Sequence, residues 1–133
     1  MKRFSLLLLL LGVMVTSACT KEYNTTEVIP NFTVVHTVAV ADWTYTQADG
    51  TYNAIINMPE IDNTSFENDG VIVAAMFDGV NYEALPQVYD GYSYTFFYQP
   101  GYVSLSVQGA NGGQGARPTG PVTFKIVLVP SAQ

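Results

Sequence analysis

Positive charge is scarce in this 133-residue sequence, which has 5 Lys and Arg residues against 11 Asp and Glu residues. Lys2 and Arg3 precede the first hydrophobic run, so the 133 − 18 = 115 residues after position 18 carry a formal charge of 3 − 11 = −8. Nucleic acids are bound through clustered Lys and Arg side chains that neutralise phosphates. The composition therefore excludes nucleic acid as a partner, and it also disfavours electrostatic adhesion to anionic lipid.

Cysteine and histidine are equally scarce, since each occurs once, as Cys19 and His36. A single thiol excludes an internal disulfide, and the counts exclude a metal site built from Cys and His clusters. His36 alternates on the same side as three valines, which is typical of a histidine at the edge of a core rather than of a catalytic base. We therefore predict no cofactor and no enzymatic activity.

Long hydrophobic runs are limited to one, Phe4 to Val15, which is shorter than the roughly 20 apolar residues that span a bilayer. Basic residues precede it and small residues follow it, as in a secretory signal peptide. The stretch Ser17-Ala18-Cys19 resembles the lipobox of bacterial lipoproteins, whose cysteine sulfur takes a diacylglycerol and becomes the first residue after cleavage. The resemblance implies that residues 1–18 are a signal peptide and that Cys19 is the lipidation site. The alternative is a plain signal peptide with a fortuitous cysteine.

Residues 19–31 are then predicted to be the lipidated cysteine and a tether, because Thr20 to Asn31 is polar and shows no periodicity. The membrane is reached through the N-terminal lipid. The expected location is the cell envelope, with the outer membrane favoured. No acidic run follows Cys19, so a periplasmic and a surface-facing orientation both stay open.

Helical periodicity is nearly absent from the rest of the chain, and alternation with a period of two recurs. Strand-length alternating or apolar stretches occupy residues 34–40, 52–58, 71–77, 92–98, 103–107 and 122–128. The weaker segment Val80 to Val88, interrupted at Pro86, predicts a seventh strand at a sheet edge. Asp-Gly pairs mark tight turns between strands, and only Glu60 to Asn68 suits a helical turn. Residues 32–130 are therefore predicted to form one all-β domain, a single immunoglobulin-like two-sheet sandwich of about seven antiparallel strands.

Six segments also suggest a family resemblance. They are VAVADWTY, YNAIINMPEI, ENDGVIVAAMF, YEALP, YSYTFFYQPGYVSLSV and VTFKIVLV, in that order. Together they resemble small lipoproteins of Bacteroidota, with a Trp after the first strand and an aromatic-Met-Pro second strand. The resemblance covers most of residues 32–129. It implies the sandwich fold and the envelope compartment, and it implies no activity and no site residues.

The segment EIDNTSFENDG concentrates acidic residues between two predicted strands. Its carboxylates make weak calcium candidates, namely Glu60, Asp62, Glu67 and Asp69. The spacing is not that of an EF-hand, so a solvated acidic loop is the favoured interpretation. A carboxylate pair for glycoside hydrolysis is a further, less favoured alternative.

The segment GANGGQGARPTGP lacks the Gly-Lys-Ser/Thr ending of a phosphate-binding loop. We interpret it as a flexible connection between the last two strands. It carries Arg117, the only arginine after the predicted cleavage site, which is expected to be an exposed loop residue. Contact with an acidic ligand is the alternative.

Nine tyrosines are the most suggestive feature of the composition. Tyr82, Tyr89, Tyr92 and Tyr102 fall near predicted turns, where rings with a polar tip suit the recognition of glycans or envelope proteins. Of these, Tyr82, Tyr89 and Tyr102 are the candidate ligand contacts. Trp43 joins these candidates if it is exposed, although it is also expected to fill part of the core. The alternative is that the tyrosines line a sheet face and are mostly buried.

The sequence thus predicts a lipid-anchored, extracytoplasmic, non-catalytic binding or accessory module. A purely structural envelope lipoprotein is the first alternative. An extracytoplasmic hydrolase that uses loop carboxylates is the second.

Overall fold

The structure, a computed structural model, describes residues 28–131. The predicted signal peptide 1–18, Cys19 and most of the tether 19–31 lie outside the described residues. The strands are β1 (Phe32–Val38), β2 (Thr44–Thr46), β3 (Thr51–Met58), β4 (Gly70–Met76), β5 (Tyr82–Ala84), β6 (Gln87–Tyr89), β7 (Tyr92–Gln99), β8 (Gly101–Gly109) and β9 (Val122–Val129). A single 3-10 turn (Val40–Asp42) and one short helix, α1 (Asn63–Asn68), complete this part of the chain.

The strands form two sheets, in which every pair of neighbours is antiparallel. The four-stranded sheet has the order β1-β9-β4-β5, and the five-stranded sheet has the order β2-β3-β8-β7-β6. The predicted all-β two-sheet sandwich is confirmed. Nine strands replace the expected seven because residues 80–88 contain two strands and because β2, with three residues, is too short to show an alternating pattern.

The core lies between the sheets and is built from the alternate residues of each strand that point inward. On the central strand β9, Phe124 and Ile126 are fully buried. Trp43, which follows the 3-10 turn, is 1% exposed, and its ring centroid lies 6.2 Å from that of Phe124. Trp43 therefore fills the core, as expected. Each such aromatic burial contributes roughly 1.5–3 kcal/mol to folding. His36 lies opposite Phe124 on the edge strand β1 and is exposed.

The predicted strand Val80 to Val88 is divided between the two sheets. The chain leaves β4 through a tight turn in which the Asp78 carboxylate accepts hydrogen bonds from the backbone N–H groups of Asn81 and Val80, at 2.7 and 2.8 Å. These bonds lower the pKa of the Asp78 carboxyl to about 2. The chain then crosses from β5 to β6 at the cis peptide Leu85–Pro86. Both strands are sheet edges, so the edge position predicted from Pro86 is confirmed.

The two ends of the sandwich differ. The helix α1 lies at the end where β1 begins and β9 ends. Asp62 accepts a hydrogen bond from the Ser65 N–H at 2.8 Å and so starts the helix, as expected for a helical turn within residues 60–68. The Phe66 ring then meets Tyr98 edge-on, at 5.9 Å between centroids. At the other end, where β4 ends and β7 and β9 begin, aromatic side chains line a depression.

Candidate binding cleft

Four aromatic residues, Phe77, Tyr89, Tyr92 and Tyr94, line a depression at this open end, which we call the tyrosine cleft. Its volume is about 480 Å³, within the range of pockets that hold small ligands. The remaining wall comes from the loop between β8 and β9, residues 116–121, and from the turn residue Asp90. The cleft thus combines contributions from both sheets.

Local strand geometry positions the rings. Tyr89 and Tyr92 flank the Asp90-Gly91 turn and face each other across it, so both lie on the same side of the five-stranded sheet. Asp90 has a positive φ of 51°, which a tight two-residue turn requires and which Asp tolerates better than most residues. The segment Tyr-Asp-Gly-Tyr was therefore a sequence signal for two adjacent rings on one side of the sheet.

Phe77 ties the two sheets together at the cleft. Its ring stacks on Tyr89 at 4.4 Å with an interplanar angle of 8°, and it meets Tyr94 at 4.6 Å with an angle of 61°. Tyr94 is 7% exposed and forms the floor. Burial, with a smaller contribution from the charge of Asp90, raises the pKa of the Tyr94 hydroxyl. The rings support one another in a fixed arrangement.

The loop wall is held more firmly than the sequence suggested. The Gly115 N–H donates a hydrogen bond to the Gly50 carbonyl at 2.8 Å. Gly115 approaches β8 so closely that a Cβ atom there would lie 2.2 Å from the Val107 carbonyl oxygen. Pro118 is buried as well. The predicted connection between the last two strands is confirmed, and within it residues 115–118 pack against the sheet.

Arg117 extends from this loop at the rim of the cleft. Its guanidinium carbon lies 5.6 Å from the centroid of the Tyr52 ring, and Tyr52 in turn packs against Tyr45 at 5.2 Å. Arg117 is exposed, as expected. Within residues 28–131 it forms no ion pair with a carboxylate. A guanidinium resting on an aromatic ring keeps its N–H edges available to a ligand.

A second depression of about 540 Å³ adjoins the tyrosine cleft. The two share Asp90 and Tyr92, and the second is lined further by the uncharged side chains of Asn111 and Gln114. A ligand that crosses the Tyr92 ring would therefore contact an aromatic pocket on one side and amide groups on the other.

The four aromatic candidates from the sequence do not come together. Tyr89, 39% exposed, lies in the cleft. Tyr82 packs against Lys125, whose Nζ lies 4.1 Å from the ring centroid. Tyr102 lies beside Phe97 on the outer side of the five-stranded sheet, with 6.5 Å between ring centroids. Trp43 is wrong as a ligand contact, because the chain turns its ring into the core after residues 40–42.

Phe77 and Tyr94 are site residues that were not predicted from the sequence. Tyr92 falls near a predicted turn but was not among the candidate ligand contacts, and Arg117 was not predicted to lie beside these rings. Alternation does predict that Tyr92 and Tyr94 face inward. It does not show that they lie where the sheets open, since this depends on contacts between distant segments.

The acidic residues proposed for calcium are likewise dispersed. Asp62 caps α1, and Asp69 accepts a hydrogen bond from the Ser131 N–H at 3.0 Å. Glu60 and Glu67 are exposed. Within the described ranges, no three acidic, His or Cys side chains are grouped so that they could hold a metal ion. The weak calcium prediction is therefore not supported for these four residues.

Residues 28–131 contain no helix that is long and apolar enough to cross a membrane. No protein-family model matches the chain, and no match occurs among curated proteins or among solved structures.

Proposed function

We propose that this protein is a lipid-anchored, non-catalytic module of the cell envelope that binds saccharide chains in the tyrosine cleft. The observation that carries the proposal is the convergence of four aromatic rings on an open pocket of about 480 Å³. Sugar rings present C–H faces that pack on aromatic side chains, while tyrosine hydroxyls and rim groups meet the sugar hydroxyls. The mixture of apolar area and a few polar groups is what such a ligand requires.

The second depression favours a chain over a single sugar. Because the two depressions share Tyr92 and Asp90, consecutive sugar units can occupy them without a change in the protein. The aromatic pocket would take one unit, and the amides of Asn111 and Gln114 would hydrogen-bond to the hydroxyls of the next.

The composition of the cleft favours binding over hydrolysis. Glycoside hydrolysis generally takes two carboxyl groups that face each other across the scissile bond. Among the described residues, Asp90 is the one carboxylate that lines the cleft, and Arg117 is the other charged group there. His36 lies apart from the cleft on β1. The alternative of a purely structural envelope lipoprotein predicts no ligand at this site.

The position of the cleft suits a tethered module. The described chain enters β1 at Phe32, opposite Leu128 near the end of β9, whereas Val122 at the start of β9 lines the cleft. Eight residues of strand separate these ends, which is roughly 25 Å at about 3.3 Å per residue. With a lipid on Cys19, the cleft would therefore face away from the bilayer.

Binding of the mature chain, residues 19–133 with Cys19→Ser, to an array of glycans and envelope components tests the proposal. We expect a hit that survives moderate salt, because stacking on uncharged rings is not screened. Replacing Tyr89 and Tyr92 together by Ala should abolish this hit. The melting temperature should fall by a few degrees while the domain stays folded, because Tyr89 stacks on Phe77 and Tyr92 packs against the core.

The matched control replaces Phe97 and Tyr102 by Ala, since these two rings are also in contact but lie on the outer side of the five-stranded sheet. This variant should bind like the unmodified chain. A blank array, or equal losses in the two double variants, would overturn the proposal. A blank array would favour the structural alternative.

A further inference from the structure

We propose that the tyrosine cleft selects saccharides that carry a carboxylate, such as uronic-acid oligomers, and that Arg117 is the specificity-determining residue. This inference rests on the proposed function and names the class of ligand. The sequence contains no second arginine after the predicted cleavage site, and this one stands at the rim of the aromatic pocket.

The guanidinium is chemically available to a ligand. It offers a planar fork of N–H donors that matches both oxygens of a carboxylate. Its guanidinium carbon lies 5.6 Å from the centroid of the Tyr52 ring, and the side chain is exposed, so a ligand can reach the N–H donors. Lys125, the other cation of the described range, is engaged with Tyr82 on the outer side of the four-stranded sheet. Anion recognition at the cleft therefore depends on Arg117.

The backbone that carries Arg117 is also fixed before a ligand arrives. Two residues before it, Gly115 is fixed by its hydrogen bond to Gly50 and by its close approach to β8. The next residue, Pro118, is buried and restricts the backbone on the other side. A positioned donor loses less conformational entropy on binding than a mobile one, so more of the interaction appears as affinity.

Asp90 determines how an acidic sugar would be oriented. It lines the same cleft as Arg117, and no ion pair joins the two within residues 28–131. Asp90 accepts hydrogen bonds from hydroxyl groups and repels a carboxylate, whereas Arg117 attracts one. A ring with a carboxylate on one side and hydroxyls on the other satisfies both groups. A neutral sugar would form no ion pair with Arg117.

A carboxylate fits better than a phosphate ester. A doubly charged phosphate would meet one guanidinium, the nearby Asp90 and a domain whose formal charge after position 18 is −8. A carboxylate brings a single charge in the planar geometry that one guanidinium binds. Sulfated sugars, which are also singly charged per group, are separated from carboxylated ones by the experiment.

The experiment compares uronic-acid tetramers, based on galacturonate, mannuronate and glucuronate, with their methyl esters, which keep the sugar and lose the charge. Affinity for the mature chain with Cys19→Ser is measured by calorimetry. At least one free acid should bind roughly ten- to hundredfold more tightly than its ester, as a hydrogen-bonded charge contact gives. Arg117→Met should remove this difference and leave binding of the ester unchanged. Arg117→Lys should retain part of the preference.

Lys125→Met is the matched control, because it removes the other described cation at a distance from the cleft. It should keep the full preference for the acid. Equal affinity for acid and ester, a preference that survives Arg117→Met, or tighter binding of a sulfated neutral tetramer would each overturn the inference. If neutral saccharides still bind and lose affinity when Tyr89 and Tyr92 are replaced, the proposed function stands and only the inference fails. If no saccharide binds at all, both fail.

Discussion

At the residue scale, the cleft depends on Gly115. A glycine is needed there because the loop backbone lies very close to β8, and not because of a turn. Gly115 has no unusual φ, yet it leaves no room for a side chain between the loop and the Val107 carbonyl. Its contact with β8 places Arg117 two residues later at the rim. The position of Arg117 at the cleft therefore depends on residue 115 being a glycine, which has no Cβ atom.

Gly115→Ala should therefore lower the free energy of unfolding by about 1–3 kcal/mol, because the backbone at Val107 or the loop has to move. It should also weaken the acid preference that depends on Arg117. Chemical denaturation measures the first effect. Gly120→Ala is the matched control in the same loop, since nothing lies within 4 Å of its added Cβ. That variant should be neutral or stabilising by up to about 1 kcal/mol. Equal losses in both variants would show that the contact at Gly115 does not hold the loop.

At the element scale, the alternation of β9 assigns successive residues to opposite environments. Phe124 is fully buried against Trp43, whereas Lys125 lies on the outer side of the sheet, above the Tyr82 ring. Alternation did not predict the arrangement of residues 80–88, where the edge strands β5 and β6 belong to different sheets. Periodicity describes the faces of a strand and contains no information about which sheet the strand joins.

Phe124→Asp should leave the domain unfolded, since it buries an unpaired charge at a cost of several kcal/mol. Lys125→Asp should lose only the contact with Tyr82, worth about 0.5–1 kcal/mol, and remain folded. Circular dichroism and thermal melting distinguish the two outcomes. Similar behaviour of the two variants would contradict the faces assigned to β9.

At the scale of the whole molecule, the two ends of the sandwich present different surfaces. The end that continues into the proposed tether carries α1 and the acidic loop, and the other end carries the cleft. The antiparallel order of β1 and β9 enforces this separation, because the start of one strand lies beside the end of the other.

In vesicles that carry the lipidated chain, a fluorophore on Thr119→Cys should therefore lie farther from the bilayer than one on Glu67→Cys, by a margin that approaches the length of β9. Energy transfer to an acceptor lipid measures both distances. Each variant has one free thiol if Cys19 is lipidated.

Cys19→Ala is the control, and it should abolish labelling by a fatty-acid probe and release the protein from membranes. Equal distances would contradict the proposed orientation, and unchanged membrane partitioning of Cys19→Ala would contradict the anchor.

Much of the fold could be read from the sequence because the relevant interactions are local. A period of two follows from strand geometry, so it predicted the buried face of β9 and the all-β class. Asp62 and the residues after it carried their own capping signal for α1. The local motif Tyr89-Asp90-Gly91-Tyr92 also contained part of the site, since a two-residue turn places its flanking residues side by side.

The sequence by itself determined the sandwich, the burial of alternate residues and the scarcity of positive charge that singles out Arg117. Only the tertiary structure decided that Phe77, Tyr89 and Tyr94 meet, that Tyr82 and Tyr102 do not join them, and that the glycine-rich loop is held against β8. The physical reason is the range of the interactions. Strand faces and turns depend on neighbouring residues, whereas the cleft forms where segments far apart in the chain pack together and two sheets end.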